Sequence, residues 1–322
     1  MVSLQNREDL QLMVQVARLY YESEQTQQQI ARRLQITRQK VSRLLSEART
    51  EGIVRISIYD PTPSDPQLGE VLCKTFHLRH AVLTASDGLD NDQLRSHLGM
   101  AAAEFLPQMF ADDQTVGIGW GRTLFYVVNS LAKIKQARIH VVPLIGGIGD
   151  MAPFFQVNDL ARGLAEAFEG TFRNIYAPAF TPDQTTWTGL VKSQDVGTVI
   201  EFWDHLQCAM IGIGHVEFQE MSSMFFADHI SPGNLAKLEA KGAVGDILGR
   251  FYNSNGDPVE INAGVIGISL KQLQAIPEVI AIAGGMEKVR ALLGALRGGY
   301  IKTLVTDTAT ARAVLLENEV RR

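Results

Sequence analysis

The first fifty residues show the spacing of apolar positions that is typical of short packed helices. A first helix is predicted from apolar residues at intervals of three and four, which are Leu10, Met13, Val14, Ala17, Tyr20 and Tyr21. Thr26 and Gln29 form a capping-box pattern, which predicts that a second helix covers residues 27–34. After a turn at Gln35, Thr37 is the expected cap of a third helix that ends near residue 49.

A strand and a linker are predicted to follow the third helix. Gly52 ends the helical pattern, and residues 53–58 alternate between apolar and polar side chains as a strand does. The order of helices, turn and strand predicts a winged helix-turn-helix domain over residues 1–58. Residues 59–66 contain three prolines, which indicates an extended linker between domains.

Beyond the linker, residues 67–322 alternate between apolar runs and helical patterns. The expected strands are 115–118, 139–144, 209–213, 265–268, 279–283 and 301–305. The expected helices are 92–111, 123–133, 157–169, 286–297 and 307–318. This alternation predicts an α/β domain with a doubly wound parallel sheet, similar to a Rossmann fold.

The charge is distributed unevenly along the chain. The 322 residues carry a net charge of −5. Residues 26–55 hold seven basic and two acidic side chains, a local charge of +5, whereas residues 61–322 carry −7. The amino-terminal part is therefore suited to an anionic surface such as nucleic acid, and the rest is not.

The sequence also excludes several other classes of protein. Two distant cysteines, Cys73 and Cys208, do not make a disulfide framework, and the seven histidines have no metal-ligand spacing. The chain starts without a signal-peptide pattern and has no apolar run of about 20 residues, the length that spans a bilayer. We therefore expect a cytoplasmic protein without a metal, a cofactor or a membrane partner.

The third helix of the first domain has the composition of a recognition helix. Its apolar stripe of Val41, Leu44, Leu45 and Ala48 leaves the opposite face to polar side chains. The expected DNA-binding residues are Thr37, Arg38, Gln39, Lys40, Ser42 and Arg43. Glutamine pairs with adenine, arginine with guanine and the flanking cations with phosphates, so this face suits the major groove of double-stranded operator DNA. The alternative is a small helical domain whose charged face is only solvated.

Two glycine-containing turns in the second domain are candidate phosphate sites. Gly119 and Gly121 follow an apolar strand and precede a helix, and Gly284 and Gly285 do the same before Lys288. Backbone N–H groups at a helix start bind anions, and a lysine there opposes the helix dipole unless an anion lies beside it. Together the turns predict a phosphorylated ligand at the carboxyl edge of the sheet.

Several segments of the two domains together match the pattern of one known family. They are Gln29–Leu45 and Glu51–Ile56 in the first domain, and Pro143–Gly147, Gly212–Gly214, Gly242–Gly249 and Leu304–Asp307 in the second. In these segments the sequence resembles the SorC family of bacterial sugar-responsive transcription regulators. The resemblance implies an effector domain with the fold of ribose-5-phosphate isomerase and glucosamine-6-phosphate deaminase. It also implies a homodimer or homotetramer assembled through the effector domains.

The resemblance assigns roles to particular residues of the effector domain. Gly119, Trp120, Gly121, Arg122, Thr123 and Lys288 would hold the phosphate, and Gln156, Asn158 and Asp246 would meet sugar hydroxyls. Trp120 either stacks on the ligand or covers its own loop. Each hydroxyl-binding candidate has a structural alternative, since Gln156 and Asn158 could cap a helix and Asp246 could be a turn residue.

Two further features narrow the expected function. Ile145 stands where some family members carry a charged side chain, so we expect a singly phosphorylated sugar or polyol, with an unphosphorylated polyol as the alternative. The rival function is catalysis, a sugar-phosphate isomerase or deaminase. Isomerases of this fold carry an Asp-Gly-x-Asp run after the glycine loop, whereas Asp87–Asp90 precedes it here. We therefore expect a regulator without catalytic residues.

Overall fold

The computed structural model describes most of the chain and divides it into two units. The structure describes residues 4–51, 53–54, 65–132, 137–148, 155–217, 230–261 and 264–320. The two units are Met1–Ile58 and Tyr59–Arg322. Each unit has its own apolar core.

The first unit contains the predicted helix-turn-helix. Its helices are α1 (Leu4–Tyr21), α2 (Gln27–Leu34) and α3 (Arg38–Thr50). They pack around a core of Val16, Leu19, Ile30, Ala31, Val41, Leu44 and Leu45. Thr26 and Gln29 form the capping box of α2, and the Thr37 hydroxyl accepts a hydrogen bond from the Lys40 N–H at 3.1 Å. Gln35 turns the chain between α2 and α3 in the left-handed conformation, with φ of 53°.

The predicted wing and linker lie largely outside the described residues. Of the wing, only Ile53 and Val54 are described, and the Val54 N–H donates to the Ala48 carbonyl at 2.9 Å. At the other end of the linker, the expectation of extended chain to residue 66 is wrong. Pro66 is the first residue of a helix, because Asp65 caps it by accepting the Leu68 N–H at 3.0 Å and proline is favoured at the first helical position.

A seven-stranded parallel sheet forms the centre of the second unit, which confirms the predicted α/β class. Its strands are β1 (His80–Thr84), β2 (Thr115–Ile118), β3 (His140–Pro143), β4 (Thr171–Phe172), β6 (Cys208–Ile211), β12 (Glu278–Ile282) and β13 (Thr303–Asp307). Their order is β1-β13-β12-β6-β2-β3-β4. Strands β6, β12 and β13 are buried along their whole length, as expected for the middle of a parallel sheet.

Smaller antiparallel sheets accompany the parallel one. One has the order β10-β9-β8-β7 and contains β7 (Gly214–His215), β8 (Ala243–Ile247), β9 (Arg250–Asn253) and β10 (Pro258–Val259). The other pairs β5 (Phe180–Thr181) with β11 (Gly264–Val265). The strand predicted over 265–268 is therefore only partly a strand and lies outside the main sheet.

Ten α-helices of the second unit are described. They are α4 (Pro66–Phe76), α5 (Asn91–Phe105), α6 (Arg122–Ser130), α7 (Val157–Ala167), α8 (Gln184–Val191), α9 (Gln194–Phe202), α10 (Pro232–Ala240), α11 (Leu270–Ala275), α12 (Val289–Arg297) and α13 (Thr308–Val320). Asp90 caps α5, so the Asp87–Asp90 run forms the turn before this helix. Within the described part of the chain, no helix is both long enough and apolar enough to cross a bilayer.

Candidate DNA-binding face and effector cavity

The predicted recognition residues lie at the start of α3, with Thr37 as the cap of this helix. Thr37, Arg38, Gln39, Ser42 and Arg43 are exposed and Lys40 is half-buried. The Arg43 Nε lies 3.5 Å from the Glu47 carboxylate, and both side chains are largely in solvent. Such an exposed pair contributes little free energy, so the arginine can leave it for a base or a phosphate.

A cavity of about 130 Å³ lies at the carboxyl ends of the central strands. Its walls are residues 120–124 after β2, residues 212–215 after β6 and residues 287–288 after β12. Strands β2 and β6 are neighbours in the sheet, but the strands that follow them lie on opposite sides. Strand β3 is on the far side of β2, and β12 is on the far side of β6. Crevices at such a topological switch point are the usual ligand sites of open α/β sheets.

The amino terminus of α6 forms one wall of this cavity. Gly121 precedes the helix with φ of 120°, a conformation that favours glycine, and no side chain caps the helix. Its first N–H groups and the positive end of the helix dipole therefore remain available to an anion. Trp120 is 6% exposed and lines the cavity. Gly119 is not part of the lining, and its N–H donates to the Met210 carbonyl at 2.9 Å.

Lys288 and Arg122 bring positive charge to the same cavity. The Lys288 ammonium donates to the Ile213 carbonyl at 2.8 Å, which fixes it beside the segment after β6. Burial, and next the positive charge of Arg95, lower the pKa of Lys288 to about 8. The same two causes lower the pKa of Arg122. Burial and neighbouring positive charge thus both act against the charged forms of these two side chains.

Asp246 supplies a buried carboxylate on the opposite wall. It lies in β8 and is 7% exposed, so it is a strand residue rather than the turn residue of the structural alternative. Its Oδ2 accepts the Gly249 N–H at 3.0 Å, and burial raises its pKa to about 6. His215 lies nearby in the lining, and burial together with the charge of Lys288 lowers its pKa.

The glycine pair before Lys288 shapes the loop rather than the cavity surface. Neither Gly284 nor Gly285 lines the cavity. The Gly285 N–H donates to the Asp307 carboxylate at 3.0 Å and to the Thr310 hydroxyl at 2.8 Å. These bonds tie the loop that carries Lys288 to the end of β13.

Gln156 and Asn158 lie outside the cavity lining. The Gln156 amide is hydrogen bonded to the backbone N–H and carbonyl of Ile148, and it makes no capping bond to α7. The Asn158 amide bonds the N–H of Ile175 at 2.9 Å and its carbonyl at 3.1 Å. Both side chains therefore join loops rather than cap α7, and their assignment to sugar hydroxyls stays a prediction.

The cavity also contains two residues that no sequence motif indicated. Arg95 reaches it from α5 and Glu287 from the loop after β12. Arg95 lies in an ordinary amphipathic helix, so only the packing of α5 on α6 places it here. The only sequence feature that pointed to Glu287 as a cavity residue was its position directly before Lys288.

An amino-terminal helix-turn-helix and an α/β unit with a cationic cavity define a class of ligand-responsive transcription regulators. Residues 61–316 match the family described as "Putative sugar-binding domain". The chain is 34% identical to the sorbitol operon regulator of Klebsiella pneumoniae over 97% of this chain and 100% of that protein. It is 31% identical to the deoxyribonucleoside regulator of Bacillus subtilis over 96% and 99% of the two chains. The crystal structure of the full-length K. pneumoniae regulator SorC has a TM-score of 0.74 at 34% identity and covers 95% of this chain and 99% of that one.

The chain belongs to the SorC family of sugar-responsive transcriptional regulators. The family expected from the sequence is thereby confirmed, and so is the expected function as a DNA-binding regulator that responds to a sugar.

Proposed function

We propose that the effector is a singly phosphorylated sugar or polyol and that it binds in the cavity at the ends of β2, β6 and β12. The observation that carries this proposal is the meeting of the uncapped start of α6 with Arg122 and Lys288 in one cavity. A phosphate dianion matches this set because it accepts several charge-assisted hydrogen bonds at once. The relatives named for sorbitol and for deoxyribonucleosides support a small sugar-derived effector.

The remaining contacts of the ligand follow from the walls of the cavity. The Thr123 hydroxyl and the N–H groups around it would donate to the phosphate, and the Asp246 carboxylate would accept hydrogen bonds from sugar hydroxyls. Trp120 would pack against the ligand. Ile145 is fully buried and does not line the cavity, which agrees with a ligand that carries one phosphate.

The regulatory step is a difference in effector affinity between the DNA-bound and free states. A ligand changes operator affinity only if it binds one of these states better than the other, and the factor is the same in both directions. We include a homodimer or homotetramer in the proposal, because one small helix-turn-helix module rarely binds an operator tightly enough alone and paired modules match paired half-sites.

Calorimetric titration of the full chain tests the ligand class. The panel contains pentose, hexose and polyol phosphates, each beside its unphosphorylated counterpart. We expect at least one phosphorylated member to bind and to change operator affinity in a gel-shift titration, while its counterpart binds at least tenfold more weakly. Equal binding of the two members of every pair would overturn the phosphate assignment.

Catalysis is the second candidate, because Asp246 is a buried carboxyl whose pKa is raised to about 6 within the cavity. A general base needs a pKa near the reaction pH, and isomerisation or deamination needs such a base. The relatives are named as regulators, which favours binding without turnover. Incubating the protein with the ligand and following the sugar by NMR decides the matter, since turnover would leave an isomerised or deaminated product.

A further inference from the structure

Arg95 lies in α5, apart from the three loops that form the main walls of the cavity. Its side chain lines the cavity and is 15% exposed, which is low for an arginine. It lies one turn into the helix, and the packing of α5 against α6 directs it toward the start of α6. A cation held this far from solvent is unfavourable unless anions compensate it.

The neighbours of Arg95 compensate its charge only in part. Its Nη1 pairs with the Asp92 carboxylate at 2.6 Å, and the Asp92 side chain is 61% exposed. Arg95 also lies near enough to Lys288 and Arg122 to lower the pKa of both. Three cations therefore converge on one cavity, and the anions near them are Glu287 and Asp246 in the lining and the largely exposed Asp92.

We propose that Arg95 is an effector-binding residue that contacts the phosphate and gives the site its preference for a dianion. This inference rests on the proposed phosphate site and adds one residue that contacts the phosphate. The guanidinium presents five donors, and Asp92 engages one of its nitrogens, so the others can form a forked contact with phosphate oxygens. Asp92 would therefore compete with the phosphate for Arg95.

A purely structural role makes different predictions, and the chain contains a matched control for it. Arg162 pairs with Asp159 at 2.7 Å on α7, with the same spacing of three residues and with half-exposed side chains. If Arg95 only stabilises its helix, then Arg95→Gln and Arg162→Gln should behave alike toward ligands.

The test uses the full chain with inorganic phosphate as the probe, followed by phosphorus NMR and calorimetry at pH 7. Arg95→Gln is expected to weaken phosphate binding at least tenfold, and Arg162→Gln is expected to leave it unchanged. Asp92→Asn should bind phosphate more tightly, by about threefold, because it releases Arg95 from its competitor. An unchanged phosphate affinity in Asp92→Asn would contradict the contact even if Arg95→Gln does not fold.

The pH profile gives a readout that loss of stability does not reproduce. Phosphate affinity of the wild type should fall as the pH rises through about 8, where Lys288 loses its proton. Glu287, Asp246, Arg122 and His215 also face Lys288 and remain in Arg95→Gln. Because the charge of Arg95 lowers the pKa of Lys288, removal of Arg95 should raise this pKa and move the fall in phosphate affinity to higher pH.

The possible failures are distinguishable. If the wild type binds neither inorganic phosphate nor any sugar phosphate, the proposed function fails and the role of Arg95 fails with it. If the wild type binds phosphate while Arg95→Gln binds it equally well with the same pH profile, only the role of Arg95 is refuted.

Discussion

Lys288 offers a test of the cavity that needs no ligand. Burial of its ammonium, and next the positive charge of Arg95, lower its pKa from 10.5 to about 8. A lysine whose pKa is lower in the folded state destabilises that state while it is charged. The free energy of unfolding should therefore rise as the pH increases from 8 toward 10.5, since the folded protein then gives up a proton that the unfolded chain retains.

The magnitude follows from the two pKa values. At about 1.4 kcal/mol for each pKa unit, the full difference corresponds to about 3 kcal/mol, and about 2 kcal/mol of it appears between pH 7 and roughly 9.5. Lys288→Met removes this titration and also removes the hydrogen bond to the Ile213 carbonyl, which costs about 1–3 kcal/mol. At pH 7 the two effects oppose each other, so the substitution should leave the stability unchanged or raise it by up to about 2 kcal/mol.

The assay is urea unfolding followed by tryptophan fluorescence at pH 7 and pH 9.5. All three tryptophans, Trp120, Trp187 and Trp203, lie in the second unit, so the signal reports that unit. The wild type should gain about 2 kcal/mol relative to Lys288→Met over this range, because other groups titrate alike in both proteins. Parallel pH dependences in the two proteins would show that Lys288 is not under electrostatic strain, and the cationic cavity would lose its main support.

Two further substitutions address the recognition helix and the loop before Lys288. Arg43→Ala should weaken specific operator binding by about 1–3 kcal/mol and binding to random DNA much less, as measured by gel shift; an equal loss would instead identify a phosphate contact. Gly284→Ala should weaken effector binding, because its Cβ would lie 2.4 Å from the Asp307 carboxylate that holds the loop. Gly189→Ala, where nothing lies within 4 Å, is the control, and equal calorimetric affinities in both variants would contradict this account of the loop.

The predictions that succeeded concern features determined by short stretches of chain. Thr26 and Thr37 act within three residues of the N–H groups they cap, so the bounds of α2 and the start of α3 follow from local sequence alone. Likewise, the glycine before α6 adopts a positive φ that other residues rarely adopt. Such signals need no knowledge of the rest of the fold.

Features decided by contacts between distant segments were not predictable. The run 265–268 is apolar and buried, but hydrophobicity does not reveal whether a strand joins the parallel sheet or pairs with β5. The amides of Gln156 and Asn158 bond to backbone groups 8 and 17 residues away. Arg95 reaches the cavity only because α5 packs on α6, and no motif records this.

The arrangement of charge in the cavity also explains how a small ligand could alter the protein. Arg122, Lys288 and Arg95 come from three segments that are far apart in the sequence, and the charges of Arg95 and Arg122 oppose protonation of Lys288. An anion placed among them would replace mutual repulsion with shared attraction, so its binding free energy depends on how closely the three segments approach. A state of the protein that holds these segments apart would bind the anion more weakly, and that difference in affinity is what linkage requires for control of the operator. In the proposed function, the positive charge that these three side chains bring together is therefore the feature through which the ligand would act on the segments around it.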